Sequence, residues 1–111
     1  MNFIQGDILD KDLIKKHCQD VDIVHHLAGI TDVPRVKSES SLKKDDLINK
    51  VAEEGTQNIL DVISDKCKII MPSSHVVYEG IESIKKDINE NEKTCPVLSY
   101  GKSKAINENQ L

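Results

Sequence analysis

The 111-residue sequence is poor in the residues that mark several special classes of protein. Its three cysteines, at 18, 67 and 95, are odd in number and widely spaced, which argues against a disulfide framework and indicates reduced thiols in a cytoplasmic protein. The apolar runs are too short to span a membrane. A net charge of −4, without a basic patch, argues against nucleic acid as a partner.

The four histidines do not have the spacing of metal ligands. His25 and His26 are adjacent on a predicted strand, so their side chains point to opposite faces of the sheet. His17 and His75 lack a partner at a ligand-like spacing. We therefore expect no metal site.

What the sequence does contain is an alternation of short apolar stretches with longer helical ones. Strands are predicted at residues 2–5, 22–28 and 68–71, and helices at residues 11–18, at 42–64 and from Ser99 onward. We expect Asp10 to cap the first helix and Gly55 to allow close packing of the second on the sheet. Residues 79–98 are polar and predict a solvated loop.

Alternating strands and helices are typical of right-handed crossovers onto a parallel sheet. The sequence therefore predicts an α/β fold: a partial Rossmann-like, doubly wound parallel sheet with about three strands and three helices of a larger fold. Ligands of such sheets bind beyond the carboxyl ends of the strands. Glycines and polar residues follow all three predicted strands, at positions 6–7, 26–29 and 73–75, which favours a cofactor edge there.

The sharpest chemical signal is Tyr100 and Lys104 at the start of the last helix. Their four-residue spacing places both side chains on one helix face. A lysine ammonium beside a phenol favours the phenolate, which can take a proton from a substrate hydroxyl. Ser73 and Ser74 directly follow a predicted strand, where a hydroxyl can bind a substrate oxygen. The same serines could instead serve only as strand-end turn residues.

Five short motifs in order resemble those of one family, the extended short-chain dehydrogenases/reductases, and specifically their nucleotide-sugar epimerase type. They are Gly6-Asp7, His26-Leu27-Ala28-Gly29, Gly55-Thr56-Gln57-Asn58, Ser73-Ser74 with Val77-Tyr78, and Tyr100 with Lys104. The resemblance covers nearly the whole chain. It implies an NAD(P)-dependent epimerase or oxidoreductase that acts on a nucleotide sugar, with NAD favoured as cofactor and a homodimeric full-length form.

The resemblance also implies roles for individual residues. Ser74, Tyr100 and Lys104 would be catalytic, with Tyr100 as the base or acid. Glu108 would be structural. Cofactor-binding residues would be Asp7 at the adenine with Ile8 beside it, Leu27, Ala28 and Gly29 near the phosphates, and Ser73, Tyr100 and Lys104.

Several positions depart from the family pattern. Ala52 stands where the family has an active-site asparagine, and Glu79 stands where Val-Tyr is usually followed by glycine. His75 and Val76 replace the acidic pair of the dehydratases, so an epimerase or reductase is preferred.

The five glycines are too scattered to form the family's Gly-x-x-Gly-x-x-Gly turn. We therefore expect residues 1–111 to be an internal part of an NAD(P)-binding Rossmann domain, without the glycine-rich turn or the C-terminal substrate domain, and inactive alone. The alternative is a non-catalytic dinucleotide-sensing module of the same fold, which the change at Ala52 fits. A response-regulator-like domain is disfavoured because the later strand ends carry histidine and serine instead of a phosphorylatable aspartate.

Overall fold

A computed structural model describes residues 2–31, 42–82 and 87–111. Its elements in chain order are α1 (Lys11–Cys18), β1 (Ile23–His25), α2 (Leu42–Leu60), β2 (Lys68–Ile70), a 3₁₀ helix (His75–Tyr78) and α3 (Ser99–Gln110). The three predicted α-helices are confirmed, although α2 ends earlier than expected. No helix within the described ranges is both long and apolar enough to cross a membrane.

Strands β1 and β2 form a parallel pair, as predicted for these two segments. Ile23, Val24 and His25 lie opposite Lys68, Ile69 and Ile70. Two further backbone bonds of 2.9 Å extend the pairing at both ends, from Lys68 N to Asp22 O and from His26 N to Ile70 O. The first strand predicted, at residues 2–5, is wrong: that segment has no strand pairing. An extended segment becomes a strand only when a neighbour satisfies its backbone groups, and the described part of the chain supplies none.

The boundaries of the helices follow from local chemistry. The Asp10 carboxylate accepts a hydrogen bond of 3.0 Å from Leu13 N, which confirms it as the cap of α1. In α2, a side chain added at Gly55 would lie 2.9 Å from the Ile8 side chain. Gly55 therefore does allow close packing, but against Ile8, in the loop before α1, and not against a strand of the sheet.

The core lies between α2 and α3, with the 3₁₀ helix against the start of α3. Its apolar members are Ile48, Ala52, Ile59, Val77 and Ala105. The buried residues of α3 are otherwise small or polar: Ser99, Gly101, Ser103 and Asn107. The predicted loop at 79–98 has neither helix nor strand where it is described, and residues 83–86 lie outside the described residues.

Candidate active site

The Tyr100 and Lys104 side chains lie together on α3. The Lys104 ammonium is 5.8 Å from the centroid of the Tyr100 ring, within the range of a cation–π interaction. Lys104 Nζ also donates a hydrogen bond of 2.9 Å to the carbonyl oxygen of Pro72. Burial lowers the pKa of Lys104 below its ordinary value, because desolvation disfavours the ammonium.

The bond from Lys104 to Pro72 ties α3 to the segment that follows β2 and carries both predicted serines. Ser73 Oγ donates a hydrogen bond to Glu108 Oε1, one helical turn beyond Lys104. Ser74 is half-buried at the start of the 3₁₀ helix, and its hydroxyl makes no capping bond to that helix. Ser73, Ser74, Tyr100 and Lys104 are thus carried by two segments in direct contact. Their catalytic and cofactor-binding roles remain predictions.

A second group of predicted residues lines a groove between the segment before α1, α1 itself and the residues that follow β1. The groove has a volume of about 270 Å³ and is bordered by Asp7, Ile8 and Ala28, together with the apolar side chains of Ile4, Leu13 and Ile14. One oxygen of Asp7 accepts a hydrogen bond of 2.9 Å from Leu9 N, which leaves the second carboxylate oxygen available. A mostly apolar groove with one carboxylate at its edge is suited to a flat, nitrogen-rich ring.

The residues on either side of Ala28 are open to approach. Leu27 is 72% exposed, and a side chain added at Gly29 would meet nothing within 4 Å. Neither residue is linked to the groove or to Lys104 by a hydrogen bond that the structure describes.

Sequence reasoning missed a buried polar network between the end of β1, α2 and α3. His26 is 4% exposed and Thr56 is fully buried, and 2.8 Å separates His26 Nε2 from Thr56 Oγ1. Asn107 Nδ2 donates to Thr56 Oγ1 and to the Ala52 carbonyl oxygen, at 2.8 Å each. Burial first, and the charge of Lys104 second, lower the pKa of His26 below its ordinary value. His26 and Thr56 lie within recognised motifs, but nothing in the sequence signalled Asn107.

Glu79 has a role that its place in the sequence did not reveal. Its Oε1 accepts hydrogen bonds from the backbone N–H groups of Val97 (2.8 Å) and Leu98 (2.7 Å), directly before α3. The Glu79 carboxylate therefore joins the end of the 3₁₀ helix to the start of the helix that carries Tyr100.

The paired parallel strands, the polar strand ends and the Tyr100–Lys104 pair define an extended short-chain dehydrogenase/reductase. Matches to known proteins confirm this class, which the sequence motifs predicted. A family model matches residues 1–111, and the chain belongs to the 3-beta hydroxysteroid dehydrogenase/isomerase family.

Solved structures with the same fold include two UDP-glucose 4-epimerases. That of Brucella ovis, in complex with NAD, is 29% identical with a TM-score of 0.80, over 99% of this chain and 33% of its own. That of Bifidobacterium longum, in complex with NAD⁺ and UDP, is 27% identical with a TM-score of 0.75, over 96% of this chain and 31% of its own. RMD from Pseudomonas aeruginosa, complexed with NADPH, is 24% identical with a TM-score of 0.78, over 96% of this chain and 36% of its own; at that identity it shows the fold alone. The chain spans about a third of the length of these structures.

Proposed function

We propose that the chain forms part of the NAD(P)-binding domain of an enzyme that oxidises and reduces a secondary hydroxyl of a nucleotide sugar, most simply as an epimerase. The observation that carries this proposal is the contact between the Tyr100–Lys104 pair and the segment of Ser73 and Ser74, made through Pro72. The likeness to two UDP-glucose 4-epimerases, one in complex with NAD and one with NAD⁺ and UDP, supports the substrate class and favours NAD.

The described residues fit a dinucleotide. Pockets that hold drug-sized ligands have volumes of about 300–1,000 Å³, so the groove at Asp7 suits one end of a dinucleotide, its adenine. Residues 27–29 are exposed and include Ala28 at the border of the groove, so in this proposal the dinucleotide extends from the groove along them toward Tyr100. Lys104 uses one of its three N–H donors on Pro72 and keeps two for ribose hydroxyls. The bound nicotinamide would supply the acceptor and donor of hydride.

The side chains of the chain itself would manage the proton. Tyr100 takes the proton from the substrate hydroxyl, and the Lys104 ammonium stabilises the negative charge that develops on the phenol oxygen during transfer. The Ser74 hydroxyl makes no capping bond, so it is available to orient the substrate oxygen. Return of hydride to the opposite face of the sugar carbon would invert the centre.

The test is Tyr100→Phe in the full-length gene product that carries this sequence. General acid–base catalysis contributes about 10²–10⁴-fold, so turnover of a UDP-sugar with NAD should fall by at least about 10²-fold. Tyr78→Phe is the matched control, because Tyr78 is the other tyrosine of residues 1–111 and we expect the variant to retain activity within about threefold. Tyr100→Phe with most of its turnover intact would contradict the assignment.

A hydroxysteroid is the second candidate substrate, since the matching family is described as 3-beta hydroxysteroid dehydrogenase/isomerase. Both substrates present a secondary hydroxyl to the same tyrosine. Parallel assays with UDP-glucose and with a 3β-hydroxysteroid separate them: turnover of the steroid alone would overturn the nucleotide-sugar proposal. Dinucleotide binding without turnover of either would favour a non-catalytic sensing module.

We further propose that the full-length protein is a cytoplasmic homodimer and that residues 1–111 alone are inactive. Cys18, Cys67 and Cys95 are all free thiols, as suits a reducing compartment. Ile23 and Ile70 on the sheet are about half exposed, so the isolated chain leaves apolar surface uncovered. Sedimentation of the full-length protein would test the dimer, and turnover by residues 1–111 alone would contradict their inactivity.

A further inference from the structure

The Asn107 side chain is a buried connection between the helix of the proposed catalytic residues and the rest of the site. It is 5% exposed, and its amide nitrogen donates to the Ala52 carbonyl and to the Thr56 hydroxyl at 2.8 Å each. A third contact, to Gln110 Oε1, is longer at 3.3 Å. An amide has two hydrogens, so the two shorter bonds use its full donor capacity. Both acceptors belong to α2. The two bonds therefore fix the position of α3 along α2 and its rotation about its own axis.

The connection continues to the end of β1. Thr56 has no exposed surface, and its hydroxyl oxygen is 2.8 Å from His26 Nε2. His26 in turn donates its backbone N–H to Ile70 O of the neighbouring strand. The Asn107 amide is thus joined through two side chains to the strand end next to Leu27, where we propose that the dinucleotide binds.

The place of Asn107 on α3 relates it to the proposed chemistry. Residues at i, i+4 and i+7 lie on one helix face, and Tyr100, Lys104 and Asn107 have this spacing. A rotation or shift of α3 that moved Asn107 away from α2 would move the phenol and the ammonium by a similar amount. The short side chain of Ala52, which is itself buried, lies at the carbonyl to which the amide donates.

We propose that Asn107 is a positioning residue: its carboxamide, through Thr56 and His26, holds Tyr100 and Lys104 in register with the end of β1. This inference rests on the proposed function. The Asn107 amide meets α2 at the backbone carbonyl of Ala52, the position at which the family pattern has an asparagine. Asn107 touches neither substrate nor dinucleotide in this proposal and acts only through the position of α3.

The test compares Asn107→Ala with Asn109→Ala in the full-length gene product that carries this sequence. Asn109 is the matched control: it lies on the same helix, is exposed, and its amide nitrogen donates to the Ala105 carbonyl within that helix. Turnover is expressed per dinucleotide-bound site and measured well below the melting temperature, so that a loss of folded protein does not count. Misplacement of reacting groups by about 1 Å can cost about 10²-fold in rate, and we expect Asn107→Ala to lose at least about tenfold in kcat. Asn109→Ala should stay within about twofold.

Unchanged kcat per bound site in Asn107→Ala would overturn the inference, since a purely structural role would change only the folded fraction. If Asn107→Ala does not fold, Thr56→Val removes the central hydroxyl with little change of shape and should show the same loss of kcat. Failure of the proposed function is separately visible: Tyr100→Phe would then retain turnover. An inactive Tyr100→Phe beside a fully active Asn107→Ala would refute the positioning role alone.

Discussion

Gly101 is the position at which the fold and the proposed chemistry are most closely coupled. It is buried in the first turn of α3, directly after Tyr100. A side chain added there would lie 2.9 Å from the Val76 carbonyl oxygen, 3.1 Å from Pro96 Cβ and 3.2 Å from Glu79 Oε1. Two of these neighbours belong to the segment that runs from Ser74 through the 3₁₀ helix. Gly101→Ala should therefore push α3 away from that segment.

Two opposing effects set the magnitude of the change. In an open helix position, alanine is more stable than glycine by about 1 kcal/mol. Overpacking a filled site costs about 1–3 kcal/mol, so the net loss for Gly101→Ala should be about 0–2 kcal/mol. The effect on rate should be larger, because Tyr100 is the adjacent residue and a shift of about 1 Å can cost about 10²-fold.

Denaturant unfolding and steady-state turnover of the full-length gene product measure the two effects. Lys102→Ala is the control: it changes the next residue of the same helix on its exposed side, so stability should stay within about 0.5 kcal/mol. The reasoning predicts that Gly101→Ala is no more stable than the parent and at least about tenfold slower. A gain of about 1 kcal/mol with unchanged kcat would refute it, because that is the outcome for an open helix position.

Two further predictions concern stability. Glu79→Ala removes the acceptor of the Val97 and Leu98 N–H groups and should lower the free energy of unfolding by about 0.5–2 kcal/mol in denaturant titrations, as loss of a helix cap does. Glu79→Gln keeps an acceptor oxygen and should retain most of that stability, so equal losses in the two variants would contradict the role of the acceptor. The pKa of His26 is lowered in the folded chain, so below pH 6.5, its ordinary pKa, the unfolded chain binds a proton at His26 that the folded chain does not bind. The free energy of unfolding should therefore fall with acidification by up to about 1.4 kcal/mol per pH unit. His26→Gln should remove that slope in melting curves and His25→Gln, at the exposed neighbour, should not; an unchanged slope in His26→Gln would exclude His26 as its source.

Local sequence signals were sufficient for much of the fold. The cap at Asp10, the helices and the parallel pairing of β1 and β2 follow from patterns within a few residues of each element. The alternation at His25 and His26 predicted that these side chains point to opposite faces of the sheet, and in the structure His26 is buried whereas His25 is exposed. The error at residues 2–5 has a different origin, because an apolar tetrapeptide is a strand only when a partner strand is beside it.

The polar network was beyond the reach of these signals. Asn107 and Ala52 are 55 residues apart in sequence, and no motif connects an asparagine late in α3 to a carbonyl of α2. Glu79 likewise reads as a surface acid until its contacts with Val97 and Leu98 are known. The hydrogen-bond partner of a buried polar group depends on three-dimensional packing. A single sequence therefore indicates which residues need a partner better than it indicates which residue that partner is.

The Tyr100–Lys104 spacing predicts a chemistry, but the contacts of α3 decide where that chemistry takes place. Three contacts along its length hold α3 in place. Glu79 accepts from the backbone N–H of Val97 just before the helix, and Lys104, near its middle, donates to the carbonyl of Pro72. Asn107, in the last turns, donates to the Ala52 carbonyl of α2. Each contact joins a side chain to a backbone group of a different segment. A helix held at its start alone could still pivot, whereas three contacts along its length oppose both rotation and sliding. Conservation of the motif without these contacts would therefore preserve the phenol and the ammonium while leaving their distance from the strand ends undetermined.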